Sequence, residues 1–375
     1  MQMRLRIRFA HLVRLPCVLM LLSAGCQAMK YPAPVTDIIP TEQSARVLWQ
    51  AAASDGAVDA IAFLPDGRHV AIASDSGTLQ LCPIHPGEAN RNFSFAPPIV
   101  KGQHWNAVAV SSNGRWLAAG VGPNFLHPDD QAAAKVYLWD VNTATQQAVF
   151  LDPMGEFATL RFSPDGTLLA QRTDSPKQRL TVWKIPDKQI VLSSSADSAS
   201  RSIFFKNDAA TGEAYLCASG LVWRIGDAQP QLVETLDQAP DAMSDDWKDQ
   251  YFLEGWDGKV VGNRFITVTK DAGILERVSG PVEKKRFLRL VRLAGTMNSL
   301  MGACYVRPKT DGGRGLLLVW TRNDILLINL DKNQESVIKH SELQLNGVAV
   351  SMDGRMVAGC GLWGAAIWEM PFAGG

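Results

Sequence analysis

Short apolar runs alternate along this chain with tight polar turns, and the same unit recurs. In the first unit the apolar run 57–63 leads into the turn Pro65-Asp66-Gly67, which is followed by further apolar runs at 68–73 and 78–82. Outside the first 25 residues, an apolar period typical of a helix is confined to residues 284–293. The pattern therefore predicts an all-β chain of short strands.

The turn that ends the first apolar run returns at nearly constant spacing. Asp66, Asn113 and Asp165 are separated by 47 and 52 residues, and all three are followed by glycine. Asp-Gly and Asn-Gly suit such turns because both residues tolerate positive φ at low cost. The spacing predicts seven turns in all, at Asp66, Asn113, Asp165, Asp208, Asp257, Asp311 and Asp353. A period of about 40–50 residues with several strands per unit is typical of a β-propeller.

The predicted fold is a single all-β propeller of seven four-stranded blades over residues 45–375. Third strands of several units end in tryptophan, namely Trp139, Trp183, Trp223 and Trp368. The last unit supplies three strands only. The apolar run 45–50 precedes the first unit and is predicted to pair beside 365–369, which would close the ring and leave few exposed strand edges.

Four segments resemble WD-repeat and related bacterial propeller repeats. They are Ala-Phe-Leu-Pro-Asp-Gly at 62–67, Val-Tyr-Leu-Trp-Asp at 136–140, Phe-Ser-Pro-Asp-Gly at 162–166 and Leu-Thr-Val-Trp-Lys at 180–184. The resemblance covers roughly residues 46–370 and implies the propeller fold. The Gly-His dipeptide of typical WD repeats is missing from every unit, so the hydrogen-bond network that it builds in that family is not expected here.

The N-terminus has the layout of a secretion signal. Residues 1–14 hold four arginines and no acidic residue, 15–22 are apolar, and Leu22-Ser23-Ala24-Gly25-Cys26 follows. The apolar run is too short to span a bilayer permanently. The segment resembles a bacterial lipoprotein signal, although Ser23 stands where leucine is commoner. The alternative is an ordinary secretory signal in which Cys26 is incidental.

The lipoprotein resemblance implies cleavage after residue 25 and acyl chains, palmitate among them, on Cys26. Gln27 stands where that family usually has aspartate to hold a protein in the inner membrane, so an outer-membrane anchor facing the periplasm is expected. Residues 26–44, with three prolines, would form a tether. Removal of residues 1–25 leaves 33 basic and 37 acidic residues, a balance that gives no case for nucleic-acid binding.

Cysteine and histidine do not point to a cofactor or a metal. Cys82, Cys217, Cys304 and Cys360 each lie in an apolar run, where free cysteine packs as a small apolar residue. Cys304 and Cys360 lie in neighbouring units, so a disulfide is the alternative for that pair. The sequence has no zinc-type spacing and no motif for nucleophilic or metal-dependent hydrolysis.

Three segments are candidates for a partner-binding surface. The insertion 121–134 carries Phe125 and Leu126, and the acidic segment 241–256 carries Trp247 and Trp256. Exposed aromatic residues among charges suit partner recognition. In the alternative interpretation the remaining aromatics of the second segment, Tyr251 and Phe252, are strand core. If the basic run 284–292 formed a helix, its arginines would share one face and could contact anionic lipid. If it formed a strand, its charges would divide between two faces.

These features favour a non-enzymatic interaction module. The expected partner is an envelope or periplasmic protein, in an envelope-assembly, secretion or effector-neutralising system, with the membrane reached through Cys26. The alternative is a propeller hydrolase or lyase acting on a sugar or lactone at the central channel. Carboxylates clustered at a channel mouth would favour the enzyme, and an apolar channel the binding module. A third possibility is small-ligand binding without turnover.

Overall fold

The fold was obtained as a computed structural model of the 375-residue chain. The structure describes residues 45–52, 57–96, 103–123, 134–152, 155–176, 179–195, 203–207, 213–218, 221–225, 230–235, 251–253, 264–268, 273–278, 284–290, 302–306, 316–329, 332, 334–339 and 342–370. All of them belong to one compact unit, Pro34–Gly375.

The described residues form 28 strands arranged in seven antiparallel sheets of four strands. We number the sheets in chain order of their first strands. Sheet one contains β2 (Val58–Phe63), β3 (His69–Ser74), β4 (Leu79–Pro83) and β5 (Arg91–Asn92). Sheet two contains β6 (Gln103–Val110), β7 (Trp116–Pro123), β8 (Ala134–Asp140) and β9 (Thr145–Asp152). Sheet three contains β10 (Gly155–Phe162), β11 (Leu168–Pro176), β12 (Arg179–Lys184) and β13 (Gln189–Ser195).

The remaining sheets follow the same plan. Sheet four contains β14 (Ile203–Asn207), β15 (Ala214–Ala218), β16 (Leu221–Ile225) and β17 (Gln231–Thr235). Sheet five contains β18 (Tyr251–Leu253), β19 (Arg264–Val268), β20 (Gly273–Val278) and β21 (Lys284–Leu290). Sheet six contains β22 (Gly302–Val306), β23 (Leu316–Trp320), β24 (Asp324–Asn329) and β25 (Gln334–Lys339). Sheet seven contains β26 (Leu345–Val350), β27 (Met356–Gly361), β28 (Gly364–Glu369) and β1 (Val47–Ala52).

The outer strand of sheet seven comes from the beginning of the folded region. β1 pairs antiparallel with β28, with Gln50 opposite Ala366 and Ala51 opposite Ala365. Glu369 N donates a hydrogen bond of 2.9 Å to Arg46 O, which extends the pairing by one step. The predicted pairing of residues 45–50 beside 365–369 is therefore present.

The core lies between consecutive sheets. The first strands of neighbouring sheets contact one another, β26 with β2, β2 with β6, β6 with β10, and β10 with β14. Buried side chains form clusters that join sheet seven to sheet one, one to two, two to three, three to four, and six to seven. The four predicted strand-end tryptophans, Trp139, Trp183, Trp223 and Trp368, are all buried in these clusters. An all-β chain of packed antiparallel four-stranded sheets is consistent with a propeller.

The strands bear on two alternatives that the sequence left open. Residues 284–290 form β21, so this part of the basic run is a strand and its arginines do not share a helical face. Tyr251 and Phe252 lie in the strand β18, but the surroundings of their side chains are outside the described part of the structure, so their place in the core remains a prediction. Cys82, Cys217 and Cys360 are buried and form no disulfide, which confirms core packing for these three and leaves Cys360 outside any disulfide.

Candidate functional site

A repeated hydrogen-bond motif builds the turns between the first and second strands. In sheet three Ser163 Oγ donates to Asp165 Oδ1 at 2.5 Å and accepts a hydrogen bond of 2.9 Å from Leu168 N. Sheets two and seven repeat the same bonds from Ser111 and Ser351. The serine thus joins the turn carboxylate or amide to the start of the second strand, and the following glycine takes positive φ.

Successive turns touch each other. Ser112 Oγ donates to the carbonyl oxygen of Pro164 in the next turn. A Cβ atom at Gly166 would lie 3.0 Å from the amide nitrogen of Asn113, and one at Gly114 would lie 3.7 Å from Pro65. The turns of sheets one, two and three therefore form one continuous surface, which we call the turn face.

A pocket of about 500 Å³ opens on the turn face between sheets one and two. His69, Glu88 and Arg91 line it from sheet one and its adjoining loop, and Asn113 and Asn142 line it from sheet two. A volume of this size is within the range of small-molecule sites.

His69 uses both ring nitrogens within the protein. Nδ1 lies 2.6 Å from Asp66 Oδ2, and Nε2 lies 3.0 Å from Glu88 Oε2. Partial burial lowers the pKa of His69, but the hydrogen bonds that its ring donates to the two carboxylates outweigh burial and raise that pKa overall. Burial raises the pKa of Asp66, and the hydrogen bonds from Arg68 N and His69 lower it by more. The imidazole therefore connects the turn that contains Asp66 to the loop that contains Glu88.

Arg91 joins sheet one to sheet two. Its guanidinium donates to the carbonyl oxygens of Val141 and Asn142, in the turn that follows β8, and stands 5.5 Å from the centroid of the Phe93 ring. Trp139 Nε1 adds a bond of 2.8 Å to Ser94 O. Arg91 thus holds sheets one and two together, whereas His69 joins Asp66 to Glu88 within sheet one and its adjoining loop.

The opposite ends of the sheets carry a different arrangement, built on a repeated β-bulge. In sheet one Val58 pairs with Ser74 and Ala60 with Ala73, which leaves Asp59 as the extra residue. The register shifts at the same place in sheets two and seven, where the extra residues are Asn106 and Asn346. A bulge re-aims the side chain of its extra residue. Polar side chains therefore occupy equivalent positions at the starts of β2, β6 and β26.

Asp59 is the carboxylate in this set. Burial, together with the charge of Asp75, raises the pKa of Asp59 to about 7. Its Oδ2 atom is buried and accepts no hydrogen bond from any described residue. Burial raises the pKa of the neighbouring Cys360 thiol to about 12, with a further contribution from Asp59. Burial lowers the pKa of His104, and Asp75 opposes that change.

An exposed apolar hairpin lies at the same end of sheet seven. Leu362 and Trp363 connect β27 to β28, and their exposed fractions are 40% and 64%. We call the sheet ends that carry Asp59, Asp75, His104 and this Leu362–Trp363 tip the hairpin face. The sequence indicated none of these residues as a site. The one charged residue in the apolar run 57–63, and a Leu-Trp pair between Gly361 and Gly364, were the available signals.

The site residues predicted from the sequence lie elsewhere. Cys26, Phe125, Leu126, Trp247 and Trp256 all fall outside the described residues, so they remain predictions. Within the described part of the chain, no group of three or more His, Cys, Asp or Glu side chains could hold a metal ion. The described residues also contain no helix long and apolar enough to cross a membrane.

Comparison with known proteins adds one match. The model of one protein family, described as "WD domain, G-beta repeat", matches residues 47–82. That segment runs from the first residue of β1, in sheet seven, into β4 of sheet one. One repeat therefore spans the outer strand of one sheet and three strands of the next. A search of curated proteins finds no match to the chain.

Proposed function

We propose that the chain is a seven-bladed β-propeller that serves as a scaffold for protein interaction. The seven four-stranded sheets, the contacts between successive first strands and the WD-repeat match all support the propeller. The pairing of β1 with β28 would close the ring, since it joins the start of the folded region to its last sheet.

The observation that carries the interaction role is the exposed Leu362–Trp363 tip. Trp363 is exposed by 64% on a hairpin anchored in a buried sheet. Tryptophan is enriched among the residues that dominate protein interfaces. The occupied polar groups of the turn-face pocket support the same conclusion, because His69 and Arg91 are committed to contacts within the protein.

We further propose that Cys26 is acylated and tethers this scaffold to the outer membrane, facing the periplasm. The support is the basic, apolar and small-residue succession of residues 4–26 and the proline-containing segment 27–44. Two or more acyl chains give stable anchoring where one chain does not. The partner would then be an envelope or periplasmic protein, with Phe125, Leu126, Trp247 and Trp256 as further contact candidates.

A second candidate function is supported by Asp59 and Asp75. A carboxyl group whose pKa is raised to about 7, beside a second carboxylate, has the property of a general acid or base. A hydrolase or lyase acting on a sugar or lactone would use such a pair. Turnover of a glycoside or lactone panel by the wild type, lost in Asp59→Asn, would favour this function over the scaffold.

The scaffold is tested by capture of its partner in the native host. The tagged full chain is crosslinked mildly, solubilised and purified, with Cys26→Ser as the control for the anchor. One dominant envelope protein, captured by the wild type and lost or reduced with Trp363→Ala or Trp247→Ala, is the expected result. A chain that captures no protein in stoichiometric amount would contradict the proposed function.

A further inference from the structure

Two carboxylates, those of Asp59 and Asp75, stand at the junction of sheets seven, one and two. Asp75 N donates a hydrogen bond of 3.0 Å to Ala57 O, which holds the turn after β3 against the start of β2. Asp59 and Asp75 influence each other electrostatically. Neither carboxylate forms an ion pair with any described residue. Within the described part of the chain, the junction therefore carries two acidic side chains that no cationic side chain balances.

The apolar tip lies beside this junction and is held in place. Leu362 N and Trp363 N donate hydrogen bonds of 3.4 Å to Gln344 O and Leu343 O. A Cβ atom at Gly361 would lie 2.3 Å from both of these carbonyl oxygens, so the tip packs closely on the preceding loop. A tip fixed in this way loses little conformational freedom on binding.

The tip and the carboxylates belong to one surface. Cys360, two residues before Leu362, is close enough to Asp59 for that carboxylate to affect its thiol. In the same region a Cβ atom at Gly347, which pairs with Cys360, would lie 4.0 Å from Asp59 O. The apolar and acidic features thus adjoin each other across the contact between sheets seven and one.

We propose that the hairpin face binds a peptide segment of a partner protein, with one lysine or arginine side chain placed at Asp59 and Asp75 and one apolar side chain packed on Trp363. This inference rests on the proposed scaffold function and specifies the chemistry of the partner. Charge complementarity selects a cationic segment, because paired carboxylates attract it and repel nucleic acid and anionic lipid.

The surrounding groups predict how binding depends on pH. The groups that face Asp59 are Asp75, at the end of β3, and Cys360 in β27, and His104 of β6 faces Asp75. Burial lowers the pKa of His104, so the cationic form of that ring is disfavoured. The raised pKa of Asp59 means that its carboxylate forms only as the pH approaches about 7. Binding of a cationic peptide should therefore strengthen from pH 6 to pH 8.

The test selects phage-displayed random peptides on the full chain in detergent and measures binding of the selected peptides by fluorescence polarisation. Three variants are compared with the wild type: Asp59→Asn, Trp363→Ala and Met352→Ala. Asparagine suits the bulge, because Asn106 and Asn346 occupy the equivalent positions. Met352 is exposed by 66% in an Asp-Gly turn at the other end of sheet seven, and it is the matched apolar control.

The expected result is enrichment of peptides that contain lysine or arginine near an apolar residue. Their affinity should fall about tenfold or more in Asp59→Asn and in Trp363→Ala, as at an interface hot spot, and stay unchanged in Met352→Ala. The rise in affinity from pH 6 to pH 8 should disappear in Asp59→Asn.

Failure to select any peptide, selection without cationic enrichment, or equal affinity in Asp59→Asn would overturn the inference. The capture experiment distinguishes failure of the peptide-binding site from failure of the proposed scaffold function. A partner that the wild type captures, and that Asp59→Asn and Trp363→Ala retain, overturns this site while the scaffold stands. A wild type that captures nothing and selects no peptide overturns both.

Discussion

The Nδ1 atom of His69 lies 2.6 Å from Oδ2 of Asp66, in a turn that lacks the serine found in the other described Asp-Gly and Asn-Gly turns. Those turns have Ser111, Ser163 or Ser351 two residues before the turn Asp or Asn, whereas this one has Leu64. Without a serine hydroxyl, Asp66 Oδ1 accepts hydrogen bonds from the amides of Arg68 and His69, and Oδ2 receives the imidazole. At this turn the imidazole of His69, and not a serine hydroxyl, is hydrogen-bonded to the turn carboxylate.

The interactions of His69 with Asp66 and Glu88 should make the stability of the protein depend on pH. The folded pKa of His69 is raised above its ordinary value of 6.5, so its stabilisation is complete below pH 6.5 and is lost as the pH rises through the folded pKa. His69→Gln should therefore lower the melting temperature at pH 5.5 and cost less at pH 9. Melting curves of both proteins across this range provide the measurement. A melting-temperature difference that stays constant with pH would contradict the electrostatic role.

The serine of the repeated turn should be a stability determinant. Ser163 is 2% exposed, and Ser163→Ala would leave the amide of Leu168 without the hydroxyl that accepts its hydrogen bond. An unsatisfied buried donor costs about 1–3 kcal/mol. The free energy of unfolding, measured with urea, should fall by that amount. Thr143→Ala, at an exposed turn hydroxyl, is the control and should change it by less than about 0.5 kcal/mol.

Pairing of β1 with β28 should stabilise more than its own sheet. Deletion of residues 44–50 would expose the edge of β28 and part of the cluster that contains Leu48, Trp49 and Ile367. If β1 closes the proposed ring, the whole cooperative transition should move to lower temperature in calorimetry. Deletion of 34–40, within the predicted tether, should leave the melting temperature unchanged. Equal melting of the two deletion variants would argue against closure.

Much of the sheet arrangement could be predicted because its signals are local. The turns at Asp66, Asn113, Asp165 and Asp353 each combine an Asp-Gly or Asn-Gly pair with an apolar run, and each lies between the first and second strand of a sheet. Spacing alone predicts the turns at Asp257 and Asp311. Both residues lie outside the described part of the chain, so these turns remain predictions.

The hairpin face could not be predicted in the same way. A bulge is a property of the pairing between two strands, and the run 57–63 does not reveal that Asp59 is the extra residue. Likewise, the closeness of Cys360 to Asp59 depends on sheet seven lying against sheet one, a contact between residues far apart in sequence. The basic run 284–292 fits either a helix or a strand by its local pattern, and residues 284–290 form β21, as the strand interpretation required.

The raised pKa of Asp59 predicts a stabilising substitution. A carboxyl group whose pKa moves from 3.8 to about 7 on folding binds more protons in the folded state, so stability falls as the pH rises between these values and is constant above. Asp59→Asn removes the ionisation and retains the size of the side chain. The variant should be more stable than the wild type at pH 8, by up to about 4 kcal/mol at 1.36 kcal/mol per pH unit. At pH 4 the two proteins should be nearly equal, and Asp75→Asn, at an exposed position, should gain less at pH 8. Urea unfolding at both pH values gives the comparison, and an Asp59→Asn variant that is less stable than the wild type at pH 8 would show that the carboxylate has a stabilising partner.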